Sequence, residues 1–300
     1  MLHASKIHFG FVTFEPKPKS LRPLLKIKQE FEREISKLYP REEVLSLWRL
    51  VAEEATGLPR ARILGLTSVE DTVVEKIESL RDRLSTGEPW QYIVGKAHFR
   101  DLELKVAPGV LIPRPETEEL VDLALSRIGT KQDANILEVG TGSGCIAISL
   151  AKSLKRAKVH SMDISESAIE IARANIQEHS VNVNLINDDF LRSPQWDIPL
   201  DMIISNPPYI RESERSGMAK NVLEFEPENA LFPAGDDPLI FYRAIHSFSN
   251  DHLKRGGSVV LELNASLAGE SRDIFNGDHY TEIRNDLYGK PRFLLAVKEN

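Results

Sequence analysis

Ile136-Leu137-Glu138-Val139-Gly140-Thr141-Gly142-Ser143-Gly144-Cys145 runs from an apolar segment of strand length into a glycine-rich turn, and the stretch from Cys145 to Ser153 then has the length of a short helix. Strand, glycine turn and helix in this order form the place where an open α/β sheet presents backbone N–H groups and a helix N-terminus to a ligand. The glycines let that ligand approach the main chain closely. Their spacing is G-x-G-x-G. The position that would complete the dinucleotide fingerprint G-x-G-x-x-G is Cys145, which weighs against a nicotinamide or flavin.

Such a turn alone could do no more than close a tight strand–helix connection, so the acidic residues around it decide the reading. Asp163 ends the next apolar run, 19 residues after Gly144, where a carboxylate can accept hydrogen bonds from both hydroxyls of a ribose. Glu138 would repel a pyrophosphate but attract the ammonium of a methionyl group. Glu138, Gly140, Thr141, Gly142, Ser143, Gly144 and Asp163 together point to S-adenosylmethionine. Asp188, Asp189 and Phe190 follow the third apolar run on the same rim. They suit the amino group and ring face of an adenine, or equally an acidic turn with one core phenylalanine.

Working outward, apolar runs at 136–139, 159–162, 183–186, 202–205, 258–263, 280–284 and 293–297 read as strands. Helical spacing intervenes at 145–153, 166–178, 238–248 and 267–275, and a further helix should start near Pro115, where proline and three glutamates favour a first turn. This alternation predicts an α/β fold with a seven-stranded, mainly parallel, Rossmann-like sheet over 114–300. Between Tyr92 and Pro113 the period changes to two: Leu102, Leu104 and Val106 face one way and Glu103 and Lys105 the other, as in a β-hairpin turning near Arg100-Asp101 that connects domains. Residues 21–91 carry helical spacing, such as Val44, Leu47, Trp48 and Val51, and predict a small helical bundle of three to five helices. Residues 1–20 are expected to be an extension.

Asn206-Pro207-Pro208-Tyr209 follows the fourth strand, so it falls beside the glycine turn and borders the cofactor site. An amide nitrogen is a poor nucleophile because its lone pair is delocalised into the carbonyl. A site that methylates it must hold both hydrogens and aim the nitrogen. The Asn206 side-chain oxygen and the Pro207 carbonyl can accept those hydrogens, the prolines stiffen the backbone, and Tyr209 can stack on the flat substrate. The motif therefore predicts an acceptor that is a planar amide or amino nitrogen.

The formal charge is −7, and residues 101–300 alone carry −10 against +3 for residues 1–100. A surface wrapping duplex nucleic acid should be basic, which argues against a DNA-wrapping enzyme. The single cysteine, Cys145, excludes an internal disulfide and a cysteine-based zinc site, and the eight histidines show no ligand spacing, so no metal is expected. No apolar run is long enough to span a bilayer. The composition fits a cytoplasmic rather than an organellar enzyme.

With these residues placed, the chain resembles the protein-(glutamine-N5) methyltransferases of class I peptide chain release factors, the HemK or PrmC family. The resemblance covers the chain from about residue 21. It rests on Gly87-Glu88-Pro89-Trp90-Gln91-Tyr92-Ile93-Val94-Gly95 with Phe99, on Ile112-Pro113-Arg114-Pro115-Glu116-Thr117-Glu118, and on the Asn206 motif. Glu226-Pro227, Gly235-Asp236-Asp237-Pro238-Leu239 and Asp286-Leu287-Tyr288-Gly289-Lys290-Pro291-Arg292 extend it. Two segments depart: Glu262-Leu263-Asn264-Ala265-Ser266 lacks a glycine common there, and Phe232-Pro233-Ala234 replaces small residues.

The resemblance implies that the acceptor is the glutamine of the release factors' Gly-Gly-Gln loop, held by Asn206 to Tyr209, with Arg114 and Glu116 as further pocket candidates. The expected arrangement is a monomer that binds its protein partner through both domains, with the helical bundle of residues 21–91 serving substrate recognition, and that binds no nucleic acid. Three alternatives share the fold: a glutamine methyltransferase of a ribosomal protein, an adenine-N6 methyltransferase of nucleic acid, and a non-catalytic binding module.

Overall fold

The computed structural model describes residues 20–131, 133–233, 235 and 237–299; the expected extension therefore lies, apart from Ser20, outside the described residues. The chain divides into two compact units between Gly87 and Glu88.

In the first unit, a short strand β1 (Leu21–Pro23) leads into α1 (Leu24–Ile35), followed by α2 (Arg41–Thr56), α3 (Arg60–Ile63), β2 (Ser68–Glu70) and α4 (Asp71–Leu84). Apolar residues three and four apart give α1, α2 and α4 one buried face each, with Phe31 and Trp48 in contact at 5.4 Å between ring centroids. Gly57 ends α2 at φ +67°, a left-handed cap that a side chain would strain. β1 and β2 pair antiparallel, a feature that helical spacing alone does not show.

The second unit begins with α5 (Trp90–Val94) and the hairpin β3 (Lys96–Phe99) and β4 (Leu102–Lys105), then α6 (Pro115–Ile128). The hairpin turns at Arg100-Asp101, and Phe99, Leu102 and Leu104 are buried in the same core cluster as the central strand. It lies wholly within this unit. Asn175 ties it down: its side-chain oxygen accepts from Lys105 N–H at 2.7 Å, and its amide donates to the Lys105 carbonyl at 3.0 Å and the Ser143 carbonyl at 2.9 Å.

The remaining strands and helices run β5 (Asn135–Val139), α7 (Cys145–Ser153), β6 (Lys158–Asp163), α8 (Glu166–Glu178), β7 (Val183–Asn187), β8 (Leu200–Ser205), α9 (Lys220–Phe225), α10 (Glu228–Leu231), α11 (Ile240–His252), β9 (Leu253–Glu262), α12 (Ala268–Phe275), β10 (His279–Asn285) and β11 (Pro291–Lys298). Seven strands form one sheet in the order β10-β11-β9-β8-β5-β6-β7, and only β11 with its two neighbours pairs antiparallel. Every residue of β8 is buried, as expected of a parallel strand covered on both faces. From β5 the chain moves first to β6 and β7 on one side and then to β8 and β9 on the other. The sheet thus has its switch point between β5 and β8, where the open edge accepts ligands.

Asn175 is buried and makes three hydrogen bonds to main-chain groups. Asn175→Ala is expected to lower stability by about 2–4 kcal/mol through main-chain groups left unpaired. Urea unfolding checks this, and a loss below about 0.5 kcal/mol would contradict it.

Candidate active site

The register pairs Val139 with Ser205, so the residues that follow them, Gly140 and Asn206, lie side by side at the switch point. A Cβ on Gly140 would come within 3.9 Å of the Asn206 carbonyl oxygen. Gly144, at φ +83°, serves packing as well as conformation: a Cβ there would meet Ile148 Cδ1 at 3.2 Å and Ala172 Cβ at 3.3 Å. Gly144 therefore lets α7 pack against α8, and the glycine turn borders a cleft of about 1010 Å³ including the solvent at its mouth. Glu138, Gly140, Thr141, Gly142, Ser143, Asp163, Asp188, Asp189, Phe190, Asn206, Pro207 and Pro208 all line it.

Two acids define one half of this cleft. Glu138 is fully buried; one of its oxygens accepts from Ser161 Oγ at 2.5 Å, while Oε1 has no hydrogen-bond partner among the described residues. Burial pushes its carboxyl up to about 8, opposed by the Ser161 bond and reinforced by nearby Asp163. Asp163 accepts from Gly142 N–H at 3.0 Å and Ser165 N–H at 2.9 Å, and burial raises it against those bonds. Each of its oxygens keeps a further acceptor position. An unpartnered buried carboxyl oxygen beside a glycine loop is chemically suited to the amino group of S-adenosylmethionine, and the spare acceptor positions of Asp163 are suited to ribose hydroxyls. On the rim, Asp189 caps the turn at Leu191 N–H and pairs with Arg192, and Phe190 packs against Phe248 at 5.1 Å.

The other half is a hydrogen-bonded chain. Asn206 donates from Nδ2 to Thr117 Oγ1 at 3.0 Å, Thr117 donates to Glu262 Oε2 at 2.7 Å, and Tyr209 donates to Glu262 Oε1 at 2.9 Å. Glu262 ends β9 and is fully buried, which raises its carboxyl, while Thr117, Tyr209 and the Arg292 guanidinium act the other way. Tyr209 thus points inward and packs on the core that includes Tyr242 and Leu263, instead of standing free over the cleft. Arg292 is held by Asp286, whose carboxylate also accepts Tyr288 N–H and Lys290 N–H at 2.9 Å.

Arg114 lines the cleft and pairs at 2.6 Å with the buried Glu226 carboxylate, which also accepts Ile112 N–H at 3.2 Å. This pair clamps the segment before α6 to the loop after Tyr209. Glu116 is not among the cleft-lining residues; Thr117, one residue on, is. Thr117, Glu226 and Glu262 fall within segments compared with the family above, but nothing in the sequence gives any of them a role at the site. Their partners are far away along the chain, and only the fold brings them together behind the cleft-lining Thr117 and Arg114.

A release factor glutamine methyltransferase of Bacteroides thetaiotaomicron is 40% identical over 277 residues, covering 90% of this chain and 99% of that protein. One from Flavobacterium psychrophilum is 33% identical, covering 89% and 96%. The chain belongs to the release factor glutamine methyltransferase family. Residues 116–249 also match the Methyltransferase small domain family. The crystal structure of a methyltransferase from Pyrococcus furiosus, 20% identical, matches with a TM-score of 0.52, covering 74% of this chain and all of that one, and shows the same fold. Membership of the release factor glutamine methyltransferases makes S-adenosylmethionine the methyl donor.

Because burial raises the Glu138 carboxyl to about 8, seating an ammonium against its carboxylate at lower pH requires losing a proton. Affinity for S-adenosylhomocysteine is expected to rise roughly tenfold per pH unit on the acid side of neutrality and to level off near pH 8. Glu138→Gln should remove that rise. Calorimetry at several pH values tests this; an equally steep rise in the variant would contradict it.

Proposed function

We propose that this enzyme transfers a methyl group from S-adenosylmethionine to the side-chain amide nitrogen of the glutamine in the Gly-Gly-Gln motif of class I release factors. The observation that carries the reading is the placement of Asn206 and Pro207 against the glycine loop, with the Asn206 Nδ2 turned away to Thr117. The names of the relatives supply the substrate class.

When bound, S-adenosylmethionine supplies an electrophilic methyl group on its sulfonium. The protein's task is to offer a nitrogen with a usable lone pair. Asn206 Oδ1 and the Pro207 carbonyl each accept one hydrogen of the glutamine NH₂, which orients the nitrogen and stabilises the positive charge it gains as it is methylated. The amide proton that the methyl replaces then leaves to water, so no strong base is required. Thr117 and Glu262 hold Asn206 from behind, and the Arg114–Glu226 pair holds the loop that continues from Tyr209.

A planar exocyclic amine of nucleic acid would suit the same two acceptors, but the net negative charge of residues 101–300 disfavours a polyanion. No helix among the described residues is long and apolar enough to cross a membrane. We place the enzyme in the cytoplasm, where release factors work, acting as a monomer on a protein surface with no nucleic-acid partner.

Incubation with a release factor and S-adenosylmethionine should add one methylene to the Gly-Gly-Gln peptide, read by fragment mass spectrometry. Asn206→Ala should lower that rate by roughly 10²-fold or more while binding S-adenosylhomocysteine normally. Near-normal turnover in the variant would remove Asn206 from the acceptor site.

A further inference from the structure

The oxygen and nitrogen of an asparagine amide are nearly equal in size, so packing alone does not choose which of them faces a substrate. At Asn206 the choice decides activity. With Oδ1 outward the residue accepts a hydrogen from an incoming NH₂; with Nδ2 outward two donors face each other and the acceptor is lost.

The chain of hydroxyls behind Asn206 makes that choice. Glu262, when ionised, has only acceptor positions, and its two oxygens are taken by the hydroxyls of Thr117 at 2.7 Å and Tyr209 at 2.9 Å. Thr117 has one hydroxyl hydrogen. Directed at Glu262, it leaves only lone pairs towards Asn206, which lies 3.0 Å away. The Asn206 atom on that side must then be a donor, so Nδ2 faces Thr117 and Oδ1 is left for the cleft.

We infer that Thr117 is a positioning residue: polarised by Glu262, its hydroxyl locks the Asn206 amide with the oxygen presented to the substrate amide. Several features make this lock hard to reverse. Thr117 is in the first turn of α6 and is buried, with its main-chain N–H bonded to the Arg114 carbonyl. Tyr209 follows Asn206 by three residues, so a single carboxylate anchors both ends of the acceptor motif. The Glu262 carbonyl accepts the Tyr242 hydroxyl at 2.9 Å, which pins the end of β9 to α11. Arg292, held by Asp286, supplies an opposite charge that, with the Thr117 and Tyr209 hydroxyls, favours the acceptor form of Glu262 against the raising effect of its burial.

The inference rests on the reading that Asn206 Oδ1 receives the glutamine N–H, and one series of variants separates the two. Thr117→Val keeps the shape and removes the hydroxyl; Thr117→Ser restores it. With a release factor as substrate, Thr117→Val should remain folded with a lowered melting temperature, because Glu262 loses a donor, and should lose roughly 10- to 100-fold in kcat with S-adenosylhomocysteine affinity within about twofold of the parent. Thr117→Ser should recover most of the rate. Parental turnover in Thr117→Val beside an inactive Asn206→Ala would overturn the inference alone. So would a Thr117→Ser variant as slow as Thr117→Val, or a Thr117→Val loss that falls on cofactor affinity. An active Asn206→Ala would instead overturn the acceptor-site reading on which the inference stands.

Discussion

The parallel pairing of β5 with β8 places two chain reversals next to each other, and most of the chemistry at this cleft follows from that contact. Ser205 Oγ donates to the Val139 carbonyl at 2.6 Å, locking the two strand ends together at the last paired residues. Beyond this point one strand enters the glycine turn and the other enters Asn206-Pro207-Pro208. A shift of one residue in this register would turn every side chain of one strand to the opposite face and separate the cofactor loop from the acceptor motif. The buried, branched side chains of β5 and β8 oppose any such slip.

The same open edge gathers three acids, Glu138, Asp163 and Glu262, in surroundings that raise the carboxyl of each. Buried carboxylates are costly to stability unless donors surround them. Here each is used differently. Asp163 is satisfied by main-chain N–H groups of its own loop and the glycine turn, Glu262 by two hydroxyls and a nearby guanidinium, and Glu138 keeps one oxygen unpaired. An unsatisfied buried oxygen in a cleft is a cost that a bound cation can relieve, whereas a satisfied one holds structure. On the proposed reading, that difference separates Glu138, whose free oxygen would meet the cofactor's ammonium, from Glu262, which orients its neighbours, while Asp163 keeps a further acceptor position on each oxygen for a ribose.

Much of this was legible in the sequence because it is local. The seven strands, α7 and α8 stand out by period, and the glycine turn and the Asn206 motif are contiguous segments whose ligand chemistry is carried by neighbouring residues. The Asn206–Thr117–Glu262 chain is not local: its members are 89 and 145 positions apart, and Glu262 reads simply as the polar end of an apolar strand. A threonine in a helix's first turn carries no mark of what its hydroxyl will meet. The choice between Glu116 and Thr117 depends on which face of α6 meets β9, which spacing near a helix start does not settle. Tyr209 invited a stacking role, yet its hydroxyl is drawn inward by an acid that only the fold supplies. The short helices α9 and α10 and the β1–β2 pair escaped notice because so few residues leave no measurable period.

A crystal of the enzyme with S-adenosylhomocysteine and a Gly-Gly-Gln peptide bears most directly on the way the site grips its acceptor. The expected density places the peptide's side-chain NH₂ within hydrogen-bond reach of Asn206 Oδ1 and the Pro207 carbonyl, with its nitrogen facing the sulfur. A peptide amide held elsewhere, or an Asn206 whose nitrogen faces the peptide while the Thr117 hydroxyl points to its oxygen, would contradict it.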